Sequence, residues 1–138
     1  MHVDEFPELD RMLAHLPVDC VFGHLGYVRA DKGIAQPGYQ AMLRLMQRGK
    51  CWVKLTGPYR ISTGPLPHAD TQPFADALVA AAPGRLVWGS DWPHVLLEAT
   101  MPNDGDLVDQ IAVWVPDEAV RKRILVDNAE KLYGFERN

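Results

Sequence analysis

The segment Leu86-Val87-Trp88-Gly89-Ser90-Asp91-Trp92-Pro93-His94 constrains the fold more than any other part of the chain. Its apolar run lacks polar alternation and reads as a strand buried on both faces, the pattern of a parallel sheet. Gly89 and Ser90 let the backbone turn, and Pro93 prevents the strand from continuing. The expected strand runs from Leu86 to Gly89, which sets Asp91 just beyond its carboxyl end. In parallel α/β barrels, reacting groups collect at that end. Two more apolar stretches have the same form: Val18 to Phe22, followed by His24, and Cys51 to Leu55, followed by Gly57. Helical periodicity follows each strand, over Tyr39 to Gln47, Pro73 to Ala82 and Asp104 to Trp114. Strand–helix alternation of this kind implies parallel pairing through right-handed crossovers.

The other segments carry weaker signals. Met1 to Val3 reads as the tail of a strand. Phe6, Leu9, Leu13 and Leu16 follow helical spacing up to Pro17. Gly49 is a helix stop, Asp70 or Thr71 a candidate cap, and Asp117 a cap following the breaker Pro116. Ile124 to Tyr133 reads as a short closing helix, and Asp91 to Pro102 as a long loop.

Size and charge bound the function. The 138 residues suffice for one domain, but supply only about half of the roughly 250 residues of a (β/α)8 barrel. A net charge of −4 leaves no basic footprint for nucleic acid. No apolar run approaches the roughly 20 residues of a membrane span. The opening Met1-His2-Val3-Asp4-Glu5 has no signal-peptide pattern. Cys20 and Cys51 fall in expected buried strands and form no disulfide framework, so a cytoplasmic location is expected.

The Leu86–His94 segment resembles the last-strand signature of the amidohydrolase superfamily, and within it the 2-pyrone-4,6-dicarboxylate hydrolases and related sugar-lactone hydrolases. Val21-Phe22-Gly23-His24-Leu25-Gly26 resembles that group's strand ending in His-x-Gly. Trp52 to Arg60 resembles its next strand and loop, and Ile124 to Phe135 its closing segment. The resemblance covers nearly all of the chain but only the C-terminal half of the family. It implies an α/β fold, the C-terminal portion of a (β/α)8 TIM barrel, with about three complete parallel βα units plus C-terminal helices. The family's first-strand His-x-His pair does not occur. Where the pyrone-dicarboxylate hydrolases often place Asp before the strand-end His, this chain has Gly23.

The resemblance implies the chemistry of a hydrolase. Asp91 is a candidate general base for water attacking a lactone carbonyl. His24 is a candidate to polarise that carbonyl through its imidazole. Arg60 suits bidentate recognition of a carboxylate, with Tyr59 in support. Arg29 is a further anion candidate, and His94 stands where it can orient Asp91 or line the pocket. His24 and Asp91 are also candidate ligands for a divalent metal, although a catalytic zinc takes three protein ligands. The wider superfamily implies zinc or manganese; the pyrone-dicarboxylate branch resembles a metal-free exception. His2, His15 and His68 show no ligand spacing, and Asn103-Asp104-Gly105-Asp106 reads as a helix cap rather than a calcium loop.

The expected reaction is hydrolysis of a cyclic ester, a carboxylated lactone, with an anionic lactone or dicarboxylate as the small-molecule partner. The alternative is a catalytically incomplete half-barrel serving assembly or no activity. A three-stranded sheet has two open edges and an inner face on which Val, Leu and Trp would meet water. A homo-oligomer or a separately supplied N-terminal half is therefore expected, with little or no activity from an isolated monomer.

Overall fold

A computed structural model describes residues 1–97 and 101–135. Three strands, β1 (Cys20–Phe22), β2 (Cys51–Leu55) and β3 (Leu86–Trp88), form one parallel sheet in the order β1-β2-β3. Cys20 stands beside Cys51 and Val53 beside Leu86, which sets the register across the sheet. Helix α1 (Leu9–Leu13) precedes β1, α2 (Pro37–Gln47) links β1 to β2, and α3 (Gln72–Ala81) links β2 to β3. Helices α4 (Asp104–Trp114), α5 (Glu118–Lys122) and α6 (Asn128–Tyr133) follow.

Strand alternation sorts the side chains onto two faces. Cys51, Val53 and Leu55 of β2 join Phe22 and Leu86 in the core under the helices. Tyr39, Met42, Leu45 and Met46 supply the buried stripe of α2, and Phe74, Ala75 and Leu78 that of α3. The Tyr39 hydroxyl donates to the Phe74 carbonyl at 3.0 Å, so a buried polar tip is satisfied where two helices meet. Gly38 admits close approach: a β-carbon there would lie 1.7 Å from the Val3 carbonyl oxygen. Asn128 ties the closing helices to β3 by donating to the Leu86 carbonyl at 2.6 Å.

Trp52, Lys54 and Val87 take the opposite face. An open sheet would leave this face wet, yet Trp52 is only 2% exposed, as a barrel-core or pocket-wall residue would be. The Arg85 guanidinium lies 4.8 Å from its ring centroid, and Asp19 accepts from both Trp52 Nε1 (3.2 Å) and Arg85 (2.7 Å). A cation–π lid thus covers the amino end of this face. Val87 is buried as well, while Val21 is 42% exposed.

Local signals at the chain's weaker segments give way to tertiary contacts. Met1 to Val3 is no strand; Val3–Glu5 forms a single 3-10 turn with Val3 buried in the core. The helix expected from Phe6 onward shortens to α1, because the apolar spacing continues where the backbone does not. The first strand begins at Cys20 rather than Val18, where pairing with β2 begins, and Cys20 is half-buried. The third ends at Trp88 rather than Gly89. Neither expected cap serves α3: the Thr71 hydroxyl donates to the His68 carbonyl at 2.7 Å, and Asp70 accepts from the Thr63 backbone at 2.7 Å. The closing helix is interrupted by a wide π turn over Arg123–Asp127. Asn103 and Asp117 do cap α4 and α5, accepting from Gly105 and Val120. Positions 98–100 of the Asp91–Pro102 loop lie outside the described residues.

Candidate active site at the carboxyl ends of the strands

The parallel register delivers three loops to one end of the sheet: His24 beyond β1, Thr56 to Arg60 beyond β2, and Asp91 to His94 beyond β3. The backbone that aims them is left-handed at His24 (φ 48°), Leu25 (φ 52°), Asp91 (φ 68°) and His94 (φ 53°). Such φ values cost non-glycine residues roughly 1–2 kcal/mol each, and persist where surrounding contacts over-determine them.

Asp91 is the hub. Its Oδ2 accepts from the Tyr59 hydroxyl at 2.7 Å and from Arg60 Nε in a close ion pair. Its Oδ1 faces His24 Nε2 across 3.8 Å, too far for a direct hydrogen bond. Burial acts to raise the Asp91 pKa. The hydrogen bonds from Tyr59 and Arg60, with the nearby His24 and Arg60 charges, outweigh it and hold the carboxyl below its usual value. Burial and the same carboxylate push the Tyr59 phenol up, so it stays a donor.

His24 is held by Thr56. The Thr56 hydroxyl accepts from the His24 backbone N–H at 3.2 Å and lies 3.0 Å from His24 Nδ1. With one lone pair used by that N–H, the hydroxyl proton is free to go to Nδ1, which leaves Nε2–H aimed at Asp91. Burial, with Arg60 and Lys54 nearby, lowers the His24 pKa despite the opposing pull of Asp91 and the Thr56 backbone. The imidazole is therefore neutral at pH 7. Its folded pKa lies below the unfolded value of about 6.5, so the unfolded chain binds more protons as pH falls through that range. The stability associated with neutral His24 is expected to be present above about pH 6.5 and to be lost progressively below it. NMR titration of the imidazole beside melts from about pH 8 to pH 5 checks this; a His24 pKa at or above 6.5 would contradict it.

The remaining expected residues divide. His94 is buried, presenting Nδ1 to the Tyr59 hydroxyl at 2.8 Å and Nε2 to Asp104 at 3.1 Å, so it steadies Asp91 through Tyr59. Arg60 spends its guanidinium on Asp91 and on the Val95 carbonyl (3.1 Å). Its Nε and Nη2 are thus engaged within the protein. Arg29 lies outside the group, paired with Asp31 at 2.8 Å on the surface. Thr56, Gly57 and Lys54 received no role from sequence reasoning. Strand alternation was the available signal, since Trp52, Lys54 and Thr56 share the face opposite the core.

Between His24 and Asp91 opens a cleft of about 320 Å³, bordered also by Lys54, Thr56 and Trp92. His24 and Asp91 offer two donors to a metal, and the described residues contain no group of three His, Cys, Asp or Glu side chains placed to hold one. Asp91 Oδ2 is moreover committed to a hydroxyl and a guanidinium. A zinc or manganese ion would need ligands from beyond these residues.

The sequence pattern of the amidohydrolase family matches residues 1–135. The chain belongs to the amidohydrolase family. It is 41% identical over 128 residues to a 4-sulfomuconolactone hydrolase of Hydrogenophaga intermedia, a match covering 91% of this chain and 42% of the relative. It is 38% identical to a D-galactarolactone isomerase of Agrobacterium fabrum, over 95% of this chain and 44% of that protein. An apo crystal structure from Agrobacterium tumefaciens superposes with a TM-score of 0.84 at 33% identity, covering 100% of this chain and 49% of its own. The chain thus spans about half the length of the relatives it matches. Its α/β architecture corresponds to about half of their TIM barrel.

Proposed function

We propose that this chain provides the water-activating half of an amidohydrolase-family barrel that opens an anionic lactone. The observation that carries the reading is the disposition of Asp91: one oxygen anchored by Tyr59 and Arg60, the other facing His24 Nε2 across 3.8 Å. Asp91 Oδ1 can hold an attacking water while His24 Nε2–H, beside it, meets the lactone carbonyl oxygen. Asp91 Oδ1 takes a proton from that water as its oxygen bonds to the lactone carbonyl carbon. His24 Nε2–H donates to the carbonyl oxygen as negative charge develops on it. The ring C–O bond then breaks, and the proton on Asp91 passes to the departing oxygen, leaving a hydroxy acid. No step is assigned to a metal. Support for the substrate class comes from the relatives, one named for a sulfonated muconolactone and one for galactarolactone.

The competing reading is a half-barrel without catalysis. It is favoured by a sheet of only three strands, with β1 and β3 outermost and Val21 of β1 exposed, and by the match to only about half of each relative. In either reading the open sheet is completed by a second copy or by amino-terminal strands. A chimera separates the two readings: this chain replaces the matching segment of the Hydrogenophaga relative, and purified protein is assayed by NMR against anionic and uncharged lactones. Anionic lactones are expected to be opened to hydroxy acids. A folded chimera that opens none of them would favour the non-catalytic reading.

A further inference from the structure

The catalytic group accounts for every nearby charge except Lys54. This residue lies in β2, where its neighbour across the register is Val87 and the residue two before it is Trp52. It borders the cleft and is half-buried. No hydrogen bond or ion pair joins its ammonium to another described residue. The other cations are committed: Arg60, with 9% of its side chain exposed, to Asp91, and Arg29 to Asp31. Asp91 and Arg60 cancel as an ion pair, which leaves Lys54 as the cation bordering the cleft without an ion-pair partner among the described residues. An ammonium without an ion-pair partner at the border of a cleft is a ready donor to an anion bound there.

On the lactone-opening reading above, we infer that Lys54 is a specificity-determining residue that binds the carboxylate or sulfonate substituent of the substrate, the role the sequence had suggested for Arg60. The ammonium is a compact point charge with three donors, suited to either anion. Its place within β2, deeper than Thr56 at the strand's end, puts the substituent below the ring and leaves the scissile carbonyl at His24 and Asp91. Lys54 thereby sets which lactones bind, and Asp91 sets whether they react.

The test begins with calorimetry of the full chain, using citrate as an anionic probe and its neutral trimethyl ester as the control. Saturable citrate binding is expected, weakened at least tenfold in Lys54→Met, restored in large part in Lys54→Arg, and absent for the ester. Cooperative melts show that the variants fold, with Lys54→Gln as the second neutral replacement. In the chimera, Lys54→Met is expected to raise KM for an anionic lactone at least tenfold, with kcat little changed and uncharged lactones unaffected. Citrate binding equal to wild type in both folded neutral variants, or no saturable citrate binding by the folded wild type, would overturn the assignment. The Asp91→Asn variant distinguishes this from a failure of the hydrolase reading. Lys54-dependent citrate binding without lactone turnover would sustain the anion site and defeat hydrolysis. Turnover with a KM indifferent to Lys54→Met would do the reverse.

Discussion

Asp91→Asn is expected to lower lactone opening in the chimera by roughly 10²–10⁴-fold, the usual contribution of a positioned general base. The substitution is isosteric. The amide oxygen can still accept from Tyr59, whose hydroxyl lies 2.7 Å from Oδ2 in the wild type. What disappears is the proton acceptor facing His24 and the charge that neutralises Arg60. A guanidinium with 9% of its side chain exposed then keeps its hydrogen bonds but loses its counter-charge, at a stability cost of about 1–3 kcal/mol. The loss should fall on kcat, while citrate binding is retained or tightened as a negative charge leaves the cleft. Turnover within tenfold of wild type in a folded variant would remove Asp91 from the role of base.

Gly57→Ala is expected to combine loss of stability with loss of activity. Gly57 has φ 54°, and a β-carbon there would lie 2.8 Å from His24 Nδ1 and 3.2 Å from both Asp91 Oδ2 and Arg60 Cδ. The left-handed backbone costs alanine roughly 1–2 kcal/mol, and overpacking costs a further 1–3 kcal/mol or so. The new methyl sits among the His24–Thr56 contact, the Asp91–Arg60 pair and the place proposed for water. Displacing reacting groups by about 1 Å can cost on the order of 10²-fold in rate. Thermal melts together with kcat measure both effects. An alanine variant with wild-type melting temperature and turnover would show that this loop has slack the geometry does not reveal.

Much of the architecture was legible because parallel strands announce themselves. Cys51 to Leu55 appears with the bounds expected of it, as does helix Asp104–Trp114, both long enough for local pattern to dominate. The amino-terminal segment was misread because its structure is imposed from outside. Val3 turns in a 3-10 turn into the core, and the glycine at position 38 permits that approach. The burial of Trp52 likewise depends on Arg85 and Asp19, residues remote from it in sequence.

The candidate site divides along the same physical line. Sequence by itself determined the family, the parallel α/β layout and the placing of His24 and Asp91 at strand ends, because these follow from motif and local periodicity. Tertiary structure alone decided who partners whom. It bound Arg60 to Asp91, left Arg29 on the surface with Asp31, and joined His94 to Asp91 through Tyr59. It also brought Thr56 to His24 and turned Lys54 to the cleft. Such pairings depend on cross-strand register and on loops converging from three strands, and neither is encoded in the spacing of residues along one segment.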